Sequence, residues 1–403
     1  MIRKIKNVKH LLVALFSVLF FRYPASKLFV IGVTGTDGKT TTVNLIYHLL
    51  ASAGLKTAMI STVGARIGKK KVRTGFHVTT PDSRRAQSLL RLMVNKGIKY
   101  LVLEATSHGL DQHRLLGCNF KIGVITNVTH EHLDYHGTYE NYLKAKAKLF
   151  SGVKYAVLNR DDGSYKYLSV KCQVSSIKYV TYGIKKKADL TPKTFPFKTH
   201  LLGEHNQYNC LAAIAVARIL KIPDVTIRKS LLSFQPVKGR LEEIKEGQKF
   251  KVFVDFAHTT GAFEKVIPTV RKLTKGEIIH VFGCTGDRDR AKRPIMGRTA
   301  AKLSDKIILT HEDTYTEEPK KIIAEIEPGV KKGGKILAKT YWKSLDRREA
   351  IRKAIKMAKK DDTVLLTGVG HQTTLNLGGR DVSWSDQEEA RKAIKAHLRG
   401  GLS

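Results

Sequence analysis

Cysteine is scarce in this chain of 403 residues: four, at positions 118, 172, 210 and 284, with no CxxC pair and no regular spacing. That excludes a disulfide framework and a zinc site built on paired cysteines, and it fits a reducing compartment. Long apolar runs are lacking too. LLVALFSVLFF, residues 11–21, falls well short of the roughly 20 residues that a membrane-crossing helix needs. Behind the basic MIRKIKNVKH it has the pattern of a secretory signal, but four residues after Tyr23 the chain enters KLFVIGV, a buried strand leading into a phosphate site. Residues 5–22 are therefore read as an apolar helix packed on the body, with a resting place on a membrane face as the alternative. Acidic side chains are few, 35 against 72 Lys and Arg, a formal net charge of +37. That balance attracts any polyanion. The lysines, however, are spread through almost every segment instead of being gathered with aromatics into a nucleic-acid-binding patch, and a solvated basic surface is the plainer reading. Internal repeats and low-complexity tracts are also absent, which excludes a repeat architecture.

What is present is an alternation. From Leu28 short β-branched runs exchange with helical stretches: LFVIGV, TTVNLIYHLLASAG, TAMIST, SRRAQSLLRLMVNKG, YLVLEA and KIGVITNV. Such a series predicts a parallel sheet covered by helices, with ligands at the carboxyl ends of the strands. Residues 154–202 continue the sheet less regularly, and HNQYNCLAAIAVARIL reads as a long helix with an Ala-rich face. A second alternating series begins near Gly239, after PVKGR, and is of normal domain size. The fold class is therefore α/β. A short apolar segment, 1–27, precedes a P-loop domain with a parallel-rich sheet, 28–237, and a Rossmann-like α/β domain, 238–403.

GTDGKTTT follows a strand and opens a helix, the context a phosphate loop requires. Gly35 and Gly38 let backbone N–H groups approach phosphate, Lys39 supplies a compact charge, and the Thr40 hydroxyl suits Mg²⁺. The general pattern wants glycine where Val33 stands. Glu104, ending the strand YLVLE, is placed to reach a phosphate-bound metal, a role that carboxylates suit. NVTHEHLDYHG sets His130, His132, Asp134 and His136 on one loop without zinc spacing, which suggests metal or phosphate work.

In one order the chain carries GVTGTDGKTTT, TTPDS, LEATSHGLDQHR, TNVTHEHLDYHGTYENYLKAK, GEHNQYN, GRLE, VDFAHT and FGCTGDRDRAKRPIMG. This ordered set closely resembles the Mur ligases, nearest to the MurE type, which add an amino acid to a UDP-N-acetylmuramoyl-dipeptide in peptidoglycan synthesis. It covers about residues 28–390. Mur ligases carry the shorter GxxGK[ST] loop, which accounts for Val33. The resemblance implies that Gly35, Thr36, Asp37, Gly38, Lys39, Thr40 and Thr41 form the ATP loop, and that Thr40, Glu104 and His132 are Mg²⁺ ligands. It selects Lys146 as a carbamylated lysine holding a second Mg²⁺, although Lys144 and Lys148 lie close by. Asn206, Asn209, Arg240 and Asp255 would hold base and ribose, with Lys292 and Arg293 facing the phosphates. Lys39, Lys146 and His132 are the implied catalytic residues. Thr79, Thr80, Thr106, Gln112 and Arg114 match positions for the muramoyl peptide, and Arg288, Glu312, Asp313 and Gln372 fall where the amino acid is held.

Three departures from the family bear on substrate. Only 27 residues precede the sheet, so the domain that holds the UDP group is expected to be missing. The DNPR motif of diaminopimelate-adding enzymes reads EDTY, with Tyr315 at the arginine's place, which removes a bidentate carboxylate partner and makes lysine or ornithine a plausible addition. KGHE reads VGHQ at 369–372, losing a lysine and an acid.

The reading is an ATP- and Mg²⁺-dependent amide ligase of peptidoglycan precursor synthesis, cytoplasmic, serving cell wall, cell shape and division. Its partners are small molecules, a muramoyl peptide and an amino acid, with no specific nucleic acid. The alternatives are a Mur-like ligase acting on a lipid-linked precursor, a folylpolyglutamate-synthase-like ligase, and a nucleic-acid-binding P-loop protein. One oddity lies in the loop: Asp37 stands where the family usually has Asn, an extra negative charge beside phosphate. Asp37→Asn is expected to lower KM for ATP about twofold to fivefold in steady-state kinetics. An unchanged or higher value would mean that the acid is neutralised or turned away.

Overall fold

In the computed structural model, which describes residues 2–68, 70–72, 80–129 and 131–400, the alternation becomes sheets in two separate units, Met1–Gln235 and Pro236–Ser403. The first unit holds strands β1 (Phe29–Thr34), β2 (Thr57–Ser61), β3 (Gly64–Ile67), β4 (Lys70–Val72), β5 (Tyr100–Glu104), β6 (Phe120–Ile125), β7 (Tyr155–Asn159) and β8 (Lys178–Tyr182). Their order is 4-3-2-5-1-6-7-8; β3 and β4 run antiparallel at one edge and the other pairings are parallel. β2 is buried throughout, and β1, β5 and β6 are buried beyond their first one or two residues, as suits strands covered on both faces.

Its helices are α1 (Ile2–Phe20), α2 (Lys39–Ser52), α3 (Ser83–Asn95), α4 (Ser107–Asp111), α5 (Leu133–His136), α6 (Tyr139–Ala147), α7 (Tyr165–Val174), α8 (Glu204–Ile219) and α9 (Asp224–Ser233). Local chemistry starts several of them: the side chains of Asp82, Thr106 and Thr138 accept from backbone N–H groups at the heads of α3, α4 and α6. The Ala-rich helix expected at 205–220 is α8, and it packs on α2.

The strand order reverses direction at β1, with β5 and β2 on one side and β6, β7 and β8 on the other. Register puts Val33 beside Glu104 and Thr34 beside Ile125. The turn after β1 therefore emerges between the ends of β5 and β6, where an open α/β sheet binds its ligand.

The second unit holds β9 (Glu242–Glu243), β10 (Lys251–Asp255), β11 (Ile278–Phe282), β12 (Lys306–Leu309), β13 (Tyr341–Lys343) and β14 (Thr363–Thr367), in the order 13-12-11-14-10-9. The five longer strands are parallel and β9 is antiparallel. Helices α10 (Thr260–Arg271), α11 (Lys292–Leu303), α12 (Pro319–Lys332), α13 (Arg347–Met357) and α14 (Asp386–Gly400) complete it, with a hairpin of β15 (Thr374–Leu377) and β16 (Arg380–Ser383). All four cysteines are buried and free, and burial pushes the Cys118, Cys210 and Cys284 thiols up to about 12, which leaves them inert.

One ion pair ties the ends of this second sheet together. Arg347, the first residue of α13, has no exposed side-chain surface and makes two bonds to Asp386, at 2.8 and 2.6 Å. It also donates to the carbonyls of His311 (3.1 Å) and Thr367 (2.9 Å), fixing the turns after β12 and β14. Removing one member of a buried pair strands the other, so Arg347→Met is expected to destabilise this unit by about 3–5 kcal/mol. Urea unfolding checks it; an unmoved midpoint would show that Asp386 finds solvent.

Candidate functional site

The turn after β1 is held from three sides. From β6, Thr126 Oγ1 donates to the Asp37 carbonyl at 2.6 Å, while Asn127 accepts from the Asp37 N–H (3.0 Å) and donates to the same carbonyl (3.1 Å). From α8, Asn209 presses on Gly38, where an added Cβ would stand 2.3 Å from Asn209 Oδ1, and φ there is +81°. Only glycine meets both demands. Asn209 also accepts from Thr42 (3.2 Å) and donates to Asn206 (2.9 Å), so these buried amides brace the loop. Lys39 Nζ folds back to the Thr36 carbonyl at 2.6 Å, and Thr41 is buried. The result is a Gly-rich turn heading α2, the arrangement that cradles phosphate.

Two hard oxygen donors meet beside it. Thr40 Oγ1 donates to the Glu104 carboxylate at 3.0 and 3.1 Å, and Thr62 supports that carboxylate through its N–H and hydroxyl, both at 2.9 Å. A buried carboxylate paired with a hydroxyl at a phosphate loop fits Mg²⁺, which prefers oxygen ligands. Among the described residues no three His, Cys, Asp or Glu side chains are grouped to hold a metal.

Geometry separates the two lysines of α6 and the one that follows it. Lys144 is exposed, and Lys148 pairs with Asp111 at 2.7 Å. Lys146 is only 1% exposed, donates to the Gly35 carbonyl at 2.6 Å and lies over the Tyr142 ring at 4.3 Å. Burial, and then the Lys39 ammonium, hold its amine well below the usual lysine range. Tyr142 anchors the same corner, its hydroxyl 3.2 Å from Thr36 Oγ1. His132 packs on that tyrosine at 6.0 Å and on His108 at 5.0 Å.

The residues expected to hold the acyl substrate form one connected patch. Thr80 and Thr106 hydroxyls are 2.9 Å apart, Arg114 donates to Thr80 O (3.0 Å) and twice to Gln112 Oε1, and Gln112 donates to Tyr135 (3.2 Å). Thr79 and His130 lie outside the described residues. Sequence reading missed Thr62, Thr126, Asn127 and Tyr142, which brace the loop and the carboxylate. The last three lie inside TNVTHEHLDYHGTYENYLKAK, and Tyr142 precedes Lys146 by one helical turn.

In the second unit Asp255 accepts from the N–H groups of Leu241 and Ala257, both at 2.7 Å, which folds the GRLE turn over β10. Arg240 stacks on Phe256 at 4.7 Å. Lys292 donates to the His258 carbonyl at 3.2 Å. Arg293, expected to face phosphates, does not: its side chain is fully buried and bonds Glu317 (2.8 Å) and Glu325 (2.7 Å), because two carboxylates in its own unit claim it.

Residues 33–217 match the Mur ligase middle domain and residues 239–370 the Mur ligase glutamate ligase domain. A UDP-N-acetylmuramoyl-L-alanyl-D-glutamate–2,6-diaminopimelate ligase of Geobacillus thermodenitrificans (strain NG80-2) is 38% identical over 409 residues, covering 95% of this chain and 82% of the relative. The chain belongs to the Mur ligase family. A solved structure titled as a ligase of that same name is 32% identical, with a TM-score of 0.63, covering 92% of this chain and 79% of the other. Folylpolyglutamate synthase of Mycobacterium tuberculosis shares the fold at 16% identity, with a TM-score of 0.72 over 87% of this chain and 91% of the other.

Two of the departures from the Mur ligase pattern meet in space. Gln372 Nε2 donates to Asp313 Oδ2 at 2.9 Å, and the Asn376 N–H donates to Oδ1 at 2.8 Å. DNPR has its amide where Asp313 stands, and KGHE has its acid where Gln372 stands. Amide and carboxylate have exchanged sides, so the negative charge is moved, not lost. At the place of the lost arginine, Tyr315 has the Arg288 guanidinium 5.8 Å from its ring, and a cation remains at that turn.

Glu312 is buried against Gly368, where an added Cβ would stand 2.0 Å from its Oε1. One oxygen accepts from Thr285 (2.9 Å), while Oε1 has no hydrogen-bond partner. Burial pushes this carboxyl up to about 7, against the pull of Arg347 and Lys292. The unfolded chain releases this proton near the ordinary value, about 4.3, and the folded chain near 7, so folding is penalised increasingly between those pH values and fully above them. Glu312→Gln is expected to raise stability by up to about 3 kcal/mol above pH 7 and to gain nothing from this source below pH 4. Thermal unfolding of both proteins across pH 4–8 reads the difference; a pH-independent gap would contradict it.

Proposed function

We propose that this chain is an ATP-dependent ligase that joins an amino acid to the carboxylate of a UDP-N-acetylmuramoyl-dipeptide-type precursor of peptidoglycan. The observation that carries the reading is the corner where the phosphate loop, the Thr40–Glu104 pair and the buried Lys146 amine meet. Phosphoryl transfer needs charge neutralisation and positioning, and this corner offers both. Lys39 and the loop N–H groups hold the ATP phosphates. Thr40, Glu104 and His132 would hold Mg²⁺, and carbamylated Lys146 would hold a second. Bound Mg²⁺ supplies neutralisation of phosphate charge.

Lys146 is suited to carbamylation because its amine is biased to the neutral form. The nitrogen lone pair attacks CO₂, a C–N bond forms, and the amine proton leaves, giving a carboxylate. Thr80, Thr106, Gln112 and Arg114 hold the acyl substrate so that its carboxylate attacks the γ-phosphorus, releasing ADP and forming an acyl phosphate. The incoming amine then displaces phosphate. Glu312, Asp313 and Gln372 receive an amino acid with a distal ammonium, a class that includes lysine, ornithine and diaminopimelate. A reducing, ATP-containing cytoplasm is part of this reading.

Purified protein with ATP, Mg²⁺ and UDP-N-acetylmuramoyl-dipeptide, screened over amino acids for phosphate release and product mass, tests it. Release is expected with a dibasic amino acid and not with folate plus glutamate. Lys146→Met should lower turnover by about 10²–10³-fold with ATP still bound, and stripping CO₂ should slow only the parent enzyme. ATP binding without phosphate release on any amino acid would sink the proposal.

A further inference from the structure

From Leu11 onward helix α1 is apolar nearly all the way round, yet only one face of it is covered. Asn7, His10, Leu11, Ala14, Ser17 and Val18 recur at helical spacing on the inward face. Ala14 and Ser17 are buried, Asn7 reaches Asp111 at 3.4 Å, and Val18 abuts Gly117. The opposite face is as hydrophobic as a core. Leu12, Phe16, Leu19 and Phe20 are 61, 69, 75 and 63% exposed, and Val8 and Leu15 extend the stripe. Phe16 stacks on Phe20 at 5.9 Å, which makes the patch continuous. A helix apolar on every side is stable only when something covers the second face.

The charges around it say what that something is. No Asp or Glu occurs before Asp37, while Lys or Arg stands at 3, 4, 6, 9, 22 and 27. Lys9 and Arg22, near the two ends of the apolar stripe, are exposed, as are Arg84 and Arg85 of α3, which packs against α1, and Lys96 just after it. A second copy of this chain would bring two all-cationic segments face to face. An anionic bilayer takes both the apolar stripe and the cations. No helix among the described residues is long and apolar enough to cross a membrane, so on a bilayer α1 would lie along the surface.

We propose that α1 is an interfacial helix that docks the chain on the surface of an anionic lipid bilayer, its Leu12–Phe20 face in the acyl boundary and its lysines and arginines at the headgroups. The proposal stands apart from the ligase reading, because none of these residues belongs to the nucleotide or substrate patches.

Flotation of the full chain with vesicles of phosphatidylcholine containing or lacking phosphatidylglycerol tests it. Binding is expected to be about tenfold or more tighter with the anionic lipid, to weaken with salt, and to fall by a similar factor in Phe16→Gln/Leu19→Gln. Because those positions are exposed, ATP binding and the melting transition should be unchanged. Lys9→Glu/Arg22→Glu, which leaves the apolar stripe intact, should also lose the anionic preference. Three results would overturn the proposal: no flotation at low salt, flotation indifferent to both double variants, or a dimer in solution that Phe16→Gln/Leu19→Gln dissolves.

Discussion

Removing the Lys146 amine from water is the constraint on which the phosphate-loop corner of the first unit rests. A lysine buried among apolar neighbours loses much of its preference for the charged form, and a second ammonium at Lys39 adds to the loss. The backbone carbonyl of Gly35 is the hydrogen-bond acceptor that keeps the amine in place. Because that carbonyl belongs to the phosphate loop, α6 and the loop are positioned by the same bond. Asp37, Glu131 and Asp162 pull the other way, favouring the ammonium. Burial outweighs them, and the amine stays biased toward its neutral form.

The second unit solves the opposite problem. Its buried charges are two arginines and several carboxylates: Arg293 pairs with Glu317 and Glu325, and Arg347 compensates Asp386 directly. Glu312 lies within reach of the same guanidinium but is not bonded to it, and burial dominates. Glu312 and Asp313 are thus neighbouring carboxyls in different surroundings: Glu312 is buried with one oxygen that has no hydrogen-bond partner, while both oxygens of Asp313 accept, from Gln372 and from the Asn376 N–H. This arrangement depends on the turns after β12 and β14 keeping their places, which Arg347 secures through their carbonyls.

Much of the fold was legible because buried parallel strands are continuous apolar runs: FVIGVT, TAMIS, YLVLE and TVLLT announce themselves. The parts that escaped carry little apolar signal. β16 is exposed along its whole length, and β4 is short and Lys-rich, so neither alternates visibly. The loop motif, Glu104 and Thr106 stood out in the sequence because they end a strand or open a helix. What sequence could not give was direction. Nothing in YLKAKAK tells which lysine turns inward, and the helical phase that buries Tyr142 and Lys146 while exposing Lys144 is set by packing. Arg293 failed for the same reason: a basic residue in DRAKRP reads as phosphate-facing until Glu317 and Glu325 are seen around it.

The net charge of +37 and this local chemistry act on different scales. A positive surface draws ATP and anionic precursors and speeds their encounter, with an effect that salt screens. It cannot choose among amino acids, and it opposes the approach of a dibasic one. Selectivity for such a substrate has to be built where solvent is excluded and the general field gives way to near neighbours. Glu104 at the loop and Glu312 after β12 are buried acids of that kind, with Asp313 half-buried beside the second, and the carbamylation proposed for Lys146 would add a further carboxylate. The carboxylates elsewhere pair with surface lysines and arginines, as Glu325, Glu327 and Glu246 do, so a buried acid without such a partner is electrostatically distinct from them.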